Sequence, residues 1–182
     1  MMRNLLVSGV DDGFFPIKFK GKKGKTVLSS VTYDDKRVVY IDLNRITVDG
    51  NDGTDAFRTL RKGDITILDG VIYAGFNYIT PDQNYIIFYS SRPNIEKIKE
   101  ALIKHFYNEN EKISYVVNIL NGLSRITTKW GDVFIYTDLK IQDAVKIIEK
   151  YQFFSIRPEP LRTAHIISSS VARFLLNKHN SL

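Results

Sequence analysis

The segment NLLVSGVDDGFF, residues 4–15, decides how this chain is read. Leu5 to Val10 is an apolar run of strand character, and it stops on two adjacent carboxylates, Asp11 and Asp12. Either these acids mark a surface turn, or the strand delivers a carboxylate to a site. The same ending recurs at Val48-Asp49 and Leu68-Asp69. In an open α/β sheet, side chains at strand carboxyl ends gather around one crevice, where ligands bind. Against that, Asp12-Gly13, Asp49-Gly50, Asp52-Gly53 and Asp69-Gly70 are all Asp-Gly pairs, and this dipeptide is a strong turn signal. The turn reading is weaker for Asp69, because VIYAGFNYI, residues 71–79, does not return in clean alternation.

The rest of the chain fits around such strands. Val27–Thr32 and Arg37–Leu43 flank a short polar connection and read as a hairpin. Asp52 or Thr54 can cap a helix whose apolar side is Ala56, Phe57 and Leu60, and Gly63 stops it. DITILDG (64–70) and NYIIFYSS (84–91) are unalternating apolar strands, the kind covered on both faces. Pro93 opens a helix with Ile95, Ile98, Leu102 and Ile103 as its buried stripe. YVVNIL (115–120), SRITTKW (124–130) and DVFIYTD (132–138) read as three strands, or a strand and a hairpin. Asp138 caps a helix over Ala144–Tyr151, and Pro158 or Pro160 opens a last helix ending near Asn177. The expected architecture is one α/β domain, residues 1–182, with a mixed sheet flanked by helices.

Composition narrows the function. The chain has 182 residues, 43% apolar and 25% charged, with a net charge of +6. Its pI near 9.4 mildly favours a polyanionic partner. With no cysteine there is no thiolate metal site, so any metal must be held by oxygen and nitrogen ligands. No apolar run approaches the ~20 residues of a membrane span, and Met1–Asn4 has no signal-peptide character, so a cytoplasmic protein without a membrane partner is expected. Carboxylates converging at strand ends repel unless a cation sits between them. A hard divalent ion such as Mg²⁺, with Mn²⁺ as the other option, suits such ligands together with phosphate oxygens. The chemistry that follows is metal-assisted phosphodiester hydrolysis.

SIRPEPLRTAHIISSSVARFLL, residues 155–176, is the other unusual stretch. Ala164, Ile167, Val171 and Leu175 form an apolar stripe at helical spacing. Glu159, Arg162, His165 and Ser169 run along a neighbouring stripe, where polar groups can point into a crevice or simply mark a boundary. Upstream, IKFKGKKGKT (17–26) places five lysines between Lys18 and Lys25. Lys20, Lys22 and Lys23 in this arm either track a phosphate backbone or form a solvated loop. Tyr73 and Phe76 either stack on a base or belong to the core.

Taken together, GVDDG (9–13), RITVDGNDGTDAF (45–57), ILDGVIYAGFN (67–77) and RPEPLRTAH (157–165) resemble the endonuclease V-like family. The match is to the short archaeal branch known as endonuclease dU, and it spans Leu5 to about Arg173. The resemblance implies an RNase H-like fold. It also implies a metal-dependent endonuclease acting on nucleic acid with modified or deaminated bases of uracil or hypoxanthine type, with DNA ahead of RNA. Asp11 and Asp69 stand where the family has its strand-end aspartates, and His165 where a histidine follows Pro-Glu-Pro. The family's glutamate has no equivalent here; Asp49 is the best match and Asp52 the second. Asp11, Asp49 and Asp69 are thereby the expected metal ligands, and these three with His165 the catalytic set. Arg92 matches a frequent basic position and, with Arg162, is expected to touch nucleic acid; Arg157 and Arg162 flank the Pro-Glu-Pro turn, from which both can face the crevice. The family's Pro-Tyr-Ile-Pro wedge is replaced by Leu43–Thr47, which has neither proline nor aromatic, so base recognition does not carry over. That departure keeps a second option in play, a non-catalytic nucleic-acid-binding protein on a nuclease-like scaffold.

Overall fold

The computed structural model describes residues 5–179, so the opening Met1–Asn4 lies outside the described residues. The chain runs β1 (Leu6–Asp12), a 3₁₀ turn (Ile17–Phe19), β2 (Lys25–Asp34), β3 (Arg37–Thr47), α1 (Gly53–Leu60) and β4 (Ile65–Asp69). It continues through β5 (Ile72–Tyr73), β6 (Asn77–Tyr78), β7 (Tyr85–Tyr89), α2 (Ile95–Phe106) and α3 (Asn110–Asn121). It closes with β8 (Ser124–Thr128), β9 (Gly131–Thr137), α4 (Ile141–Tyr151) and α5 (Glu159–His179). Seven strands form one mixed sheet in the order β3-β2-β1-β4-β7-β9-β8, and β5 and β6 form a separate small hairpin. β1, β4 and β7 are parallel; β2, β3 and the β8–β9 pair run antiparallel to their neighbours. This is the expected α/β mixed sheet flanked by helices. Among the described residues, no helix is long and apolar enough to cross a membrane.

The pleat sorts side chains into two cores. Val10, Leu28, Leu68 and Ile87 point to the face covered by α1, α2 and α3. Val7, Val31, Ile67, Ile86 and Phe88 point to the face covered by α4 and α5. The central strands are apolar on both faces because both faces are covered.

Helix α5 lies directly on β1. A Cβ added at Gly9 would fall 2.2 Å from the Pro160 carbonyl carbon, and one at Gly13 would fall 2.4 Å from the Ser168 carbonyl oxygen. Only hydrogen at these two positions lets helix backbone and strand backbone meet. The residues that the helix buries in this contact include Leu161, Ala164, Ser168, Ser169 and Ala172. Ile167, Val171 and Leu175 of the expected stripe are only half-buried. Small residues occupy the contact because there is no room for large ones.

Three other expectations are corrected. Residues 115–120 belong to α3, not to a strand; Val116, Ile119 and Leu120 are buried at helical spacing. Asp138 does not cap α4, which starts at Ile141. Its carboxylate instead accepts the backbone N–H groups of Asn84 (2.7 Å) and Tyr85 (2.9 Å). Ile103 is exposed; α2 buries Leu102 as expected and Phe106 in place of Ile103, with its N-terminus capped by Asn94 on the Lys97 N–H.

β3 is an edge strand whose Val38, Tyr40, Ile41 and Leu43 are exposed. Its outward backbone groups are not all open. The Arg45 N–H donates to the Asn44 side chain at 2.7 Å, and the Thr47 N–H to Asp52 at 3.0 Å. The ladder with β2 also shifts register at Thr32/Tyr33.

Candidate active site

Strand register builds the site. β1 and β4 are parallel with Val10 beside Leu68, so the next residues, Asp11 and Asp69, emerge side by side on adjacent strands. Both project to the α5 face, as their odd-numbered neighbours do. α5 then brings His165 over the strand end, where its Nδ1 lies 2.9 Å from Asp11 Oδ2. Arg157, in the turn entering α5, places one nitrogen, Nη2, against Oδ2 of Asp11 (2.7 Å) and also against Oδ2 of Asp69. Since both oxygens touch one atom, they lie no more than two hydrogen-bond lengths apart. Asp12, Ser169 and Arg173 complete the crevice, with Phe14 at one side.

Burial shapes the electrostatics. Desolvation pushes Asp11 up to about 9, with the negative charges of Asp69 and Asp12 adding to the shift and Arg157 opposing it. Desolvation also raises Asp69, against the pull of Arg157. Asp12 is raised to about 6 by burial, although its Oδ2 accepts the Ala74 N–H at 2.8 Å. His165 is held below its usual range by burial and by the Arg157 charge. The crowding of three acids against one arginine is thus relieved by a proton held on Asp11. Strong perturbation by burial and a charge partner in a cleft is a mark of functional sites.

The other sequence candidates lie elsewhere. Asp49 is not in the crevice: its backbone sits at φ 57, and its carboxylate accepts the Gly21 N–H (2.8 Å) and the Phe76 N–H (2.9 Å). Both oxygens are committed to fastening the lysine arm and the β5–β6 hairpin. Asp52 stands at the N-cap position of α1, but its carboxylate accepts from Thr47 and Asn77 rather than capping the helix. Arg162 pairs with Glu159 one turn earlier on its own helix. Arg92 lines a different cavity with Ile95, Asn121 and Arg125. Lys22 is bound to Glu109 at 3.0 Å, while Lys20 and Lys23 are exposed. Tyr73 is buried with its hydroxyl on the Gly70 carbonyl, and Phe76 packs against Phe106. Both are core residues.

Asp12 is the crevice residue that the Asp-Gly turn reading passes over. β1 runs through Asp11 and Asp12, which sends their side chains to opposite faces. The doubled acid in GVDDG was the available signal.

Among the described residues, no group of three or more His, Asp or Glu side chains is arranged to hold a metal ion. Two hard oxygen donors nevertheless converge on one cationic atom. Mg²⁺ is commonly bound through one or two carboxylates plus waters and substrate phosphates, so the donor set fits such an ion once Arg157 withdraws.

Residues 3–172 match the family described as endonuclease dU. A UPF0215 protein of Sulfurisphaera tokodaii is 49% identical over 177 residues, covering 96% of this chain and 98% of the relative. A structure of a protein of unknown function from Archaeoglobus fulgidus superposes with a TM-score of 0.74 at 20% identity, covering 92% of this chain and 98% of that one. Endonuclease V of Ciona intestinalis, solved with DNA containing an inosine, shares the fold at a TM-score of 0.53 and 13% identity, over 96% and 87% of the two chains. With a family match that runs nearly end to end, through the strand-end aspartates and the Pro-Glu-Pro turn, the chain belongs to the endonuclease dU family.

Proposed function

We propose that the protein is a metal-dependent endonuclease that hydrolyses phosphodiester bonds in nucleic acid carrying modified or deaminated bases. The observation that carries this reading is the convergence of two carboxylates, the buried Asp11 and the half-buried Asp69, on one cationic atom beside His165. Asp11 and Asp69 would hold a Mg²⁺-type ion, which supplies Lewis-acid polarisation of a phosphoryl oxygen and an activated water when bound. The chain's own groups do the rest. Asp11 fixes the His165 ring through Nδ1 and sets it to orient or exchange a proton at the reacting oxygen. Arg157 and Arg173 give the crevice positive charge for a phosphate. Membership of the endonuclease dU family supports the substrate class, and the DNA complex of endonuclease V supports a nucleic-acid partner.

One observation favours a second reading, a binding protein without catalysis: Arg157 stands in the position between the carboxylates. A cleavage panel separates the two. Strands carrying uracil, hypoxanthine, xanthine, an abasic site or normal bases are incubated with Mg²⁺ or Mn²⁺. The nuclease reading expects metal-dependent cleavage of at least one modified strand, lost by several orders of magnitude in Asp69→Asn. Tight binding with no cleavage under any condition refutes it.

A further inference from the structure

Beside the carboxylate crevice lies a second cavity of about 180 Å³. Phe14, Phe19, Val27, Ala172, Leu175 and Leu176 make its apolar walls, and Lys25, Thr26 and Arg45 complete the lining. Phe14 borders both spaces, so the cavity opens next to the site of the proposed chemistry. Arg173 holds its guanidinium 4.9 Å from the Phe14 ring centre, a cation–π contact that steadies the shared wall. Arg45 and Lys25, the latter 4.0 Å from Asp52, thus line an apolar recess with two phenyl rings, and Arg173 stands on the Phe14 wall that it shares with the crevice.

Size and charge select an occupant. An apolar cavity of about 150 Å³ accommodates benzene, so a recess of about 180 Å³ is matched in size to a single six-membered ring. Cations around an aromatic recess are the arrangement that holds a base by stacking and its flanking phosphates by charge. The geometry points to the Phe14–Phe19 cavity as a subsite for one unpaired pyrimidine base of a strand whose neighbouring phosphate lies in the carboxylate crevice. This rests on the nuclease reading only for what occupies the crevice.

Equilibrium binding without metal tests it. Fluorescently labelled dT12 and dA12 are titrated with the full chain in EDTA, and the two Kd values are compared. The subsite expects dT12 to bind tighter, on the order of tenfold, as one stacked base gives. Leu176→Trp, which fills the cavity from the α5 side, and Phe19→Ala, which removes one stacking face, should each bring the ratio to about one. Circular dichroism confirms that both variants fold, and the two act in opposite steric directions, so a folding defect in one leaves the other decisive. Equal affinities for the two strands overturn the subsite, as does a thymine preference that survives both substitutions. Because no metal is present, this outcome is independent of the cleavage panel; absence of cleavage there counts against the nuclease reading alone.

Discussion

Gly9→Ala isolates what positions the candidate active site. Gly9 lies outside the left-handed backbone region, so alanine costs nothing in φ and the whole effect is packing. The new methyl would meet Pro160 C at 2.2 Å, Pro160 O at 2.4 Å and Leu161 N at 2.5 Å, whereas ordinary contact begins near 3.4 Å. All three are backbone atoms, so no side chain can rotate aside; α5 must retreat by at least about 1 Å. Overpacking of this kind costs about 1–3 kcal/mol, occasionally more. At about 2–4 °C per kcal/mol for a chain of this size, Tm should fall by about 2–12 °C. The same retreat carries His165 away from Asp11, stretching a 2.9 Å hydrogen bond beyond its useful range. Thermal unfolding and single-turnover cleavage should therefore decline together. A variant with unchanged Tm and cleavage within twofold of the parent would refute the direct backbone packing of α5 on β1.

Further outcomes follow from the charges. In metal-free buffer, Asp11 keeps its proton in the fold up to about 9 but releases it near its ordinary value when unfolded, so stability should fall as pH rises between these values. Asp11→Asn should flatten that fall, as read by urea midpoints at pH 5 and pH 8; equal slopes in parent and variant would contradict it. Glu109 behaves oppositely. Burial opposes its ionisation, yet hydrogen bonds from Lys112, Asn51 and Lys22 hold it at about 2, so its stabilisation should be present above about 4.5 and lost as pH falls toward 2. Glu109→Gln should shrink the acid-side drop in Tm. If the lysine arm touches duplex phosphates, Lys20→Ala with Lys23→Ala should lower the salt slope of binding by up to about 0.9 per lost contact. Lys22→Ala should change the slope less, because that lysine is already paired with Glu109; equal effects at all three would remove the distinction.

The sheet was legible because its strands are long apolar runs closed by polar turns. The helix at Asn110–Asn121 was not. Its Val116-Val117 and Ile119 have strand propensity, and its buried stripe begins on Lys112, which is 1% exposed and so hides the helical period from a hydrophobicity reading. Lys112 is tolerated there by Glu109 at 2.8 Å and by the Phe106 ring, 4.3 Å from its ammonium. Within the site, Asp11 and Asp69 stood out as acids that close apolar strands, whereas His165, on a polar stripe of its helix, was placed there by the resemblance to the endonuclease V-like family. Asp49 shared that appearance, but an aspartate after a strand also serves to accept backbone N–H groups, and sequence does not distinguish the two uses. Arg157 could be named as facing the crevice; that it would bridge both carboxylates depended on the turn into α5.

The half-sealed edge of β3 bears on how the protein behaves in crowded solution. An open sheet edge is a template onto which another chain can add a strand. Here Asn44 and Asp52 occupy the amides of Arg45 and Thr47, and the register shift near Tyr33 bends the other end away from a straight ladder. Between them, Ile41 and Leu43 remain exposed, and alternation turns their backbone groups outward like those of Arg45 and Thr47. The two sealed ends leave too short a stretch for a long intermolecular ladder. Replacing Asn44 by an apolar residue would lengthen that stretch, so a side chain with no place in the chemistry guards the molecule against growing into fibres.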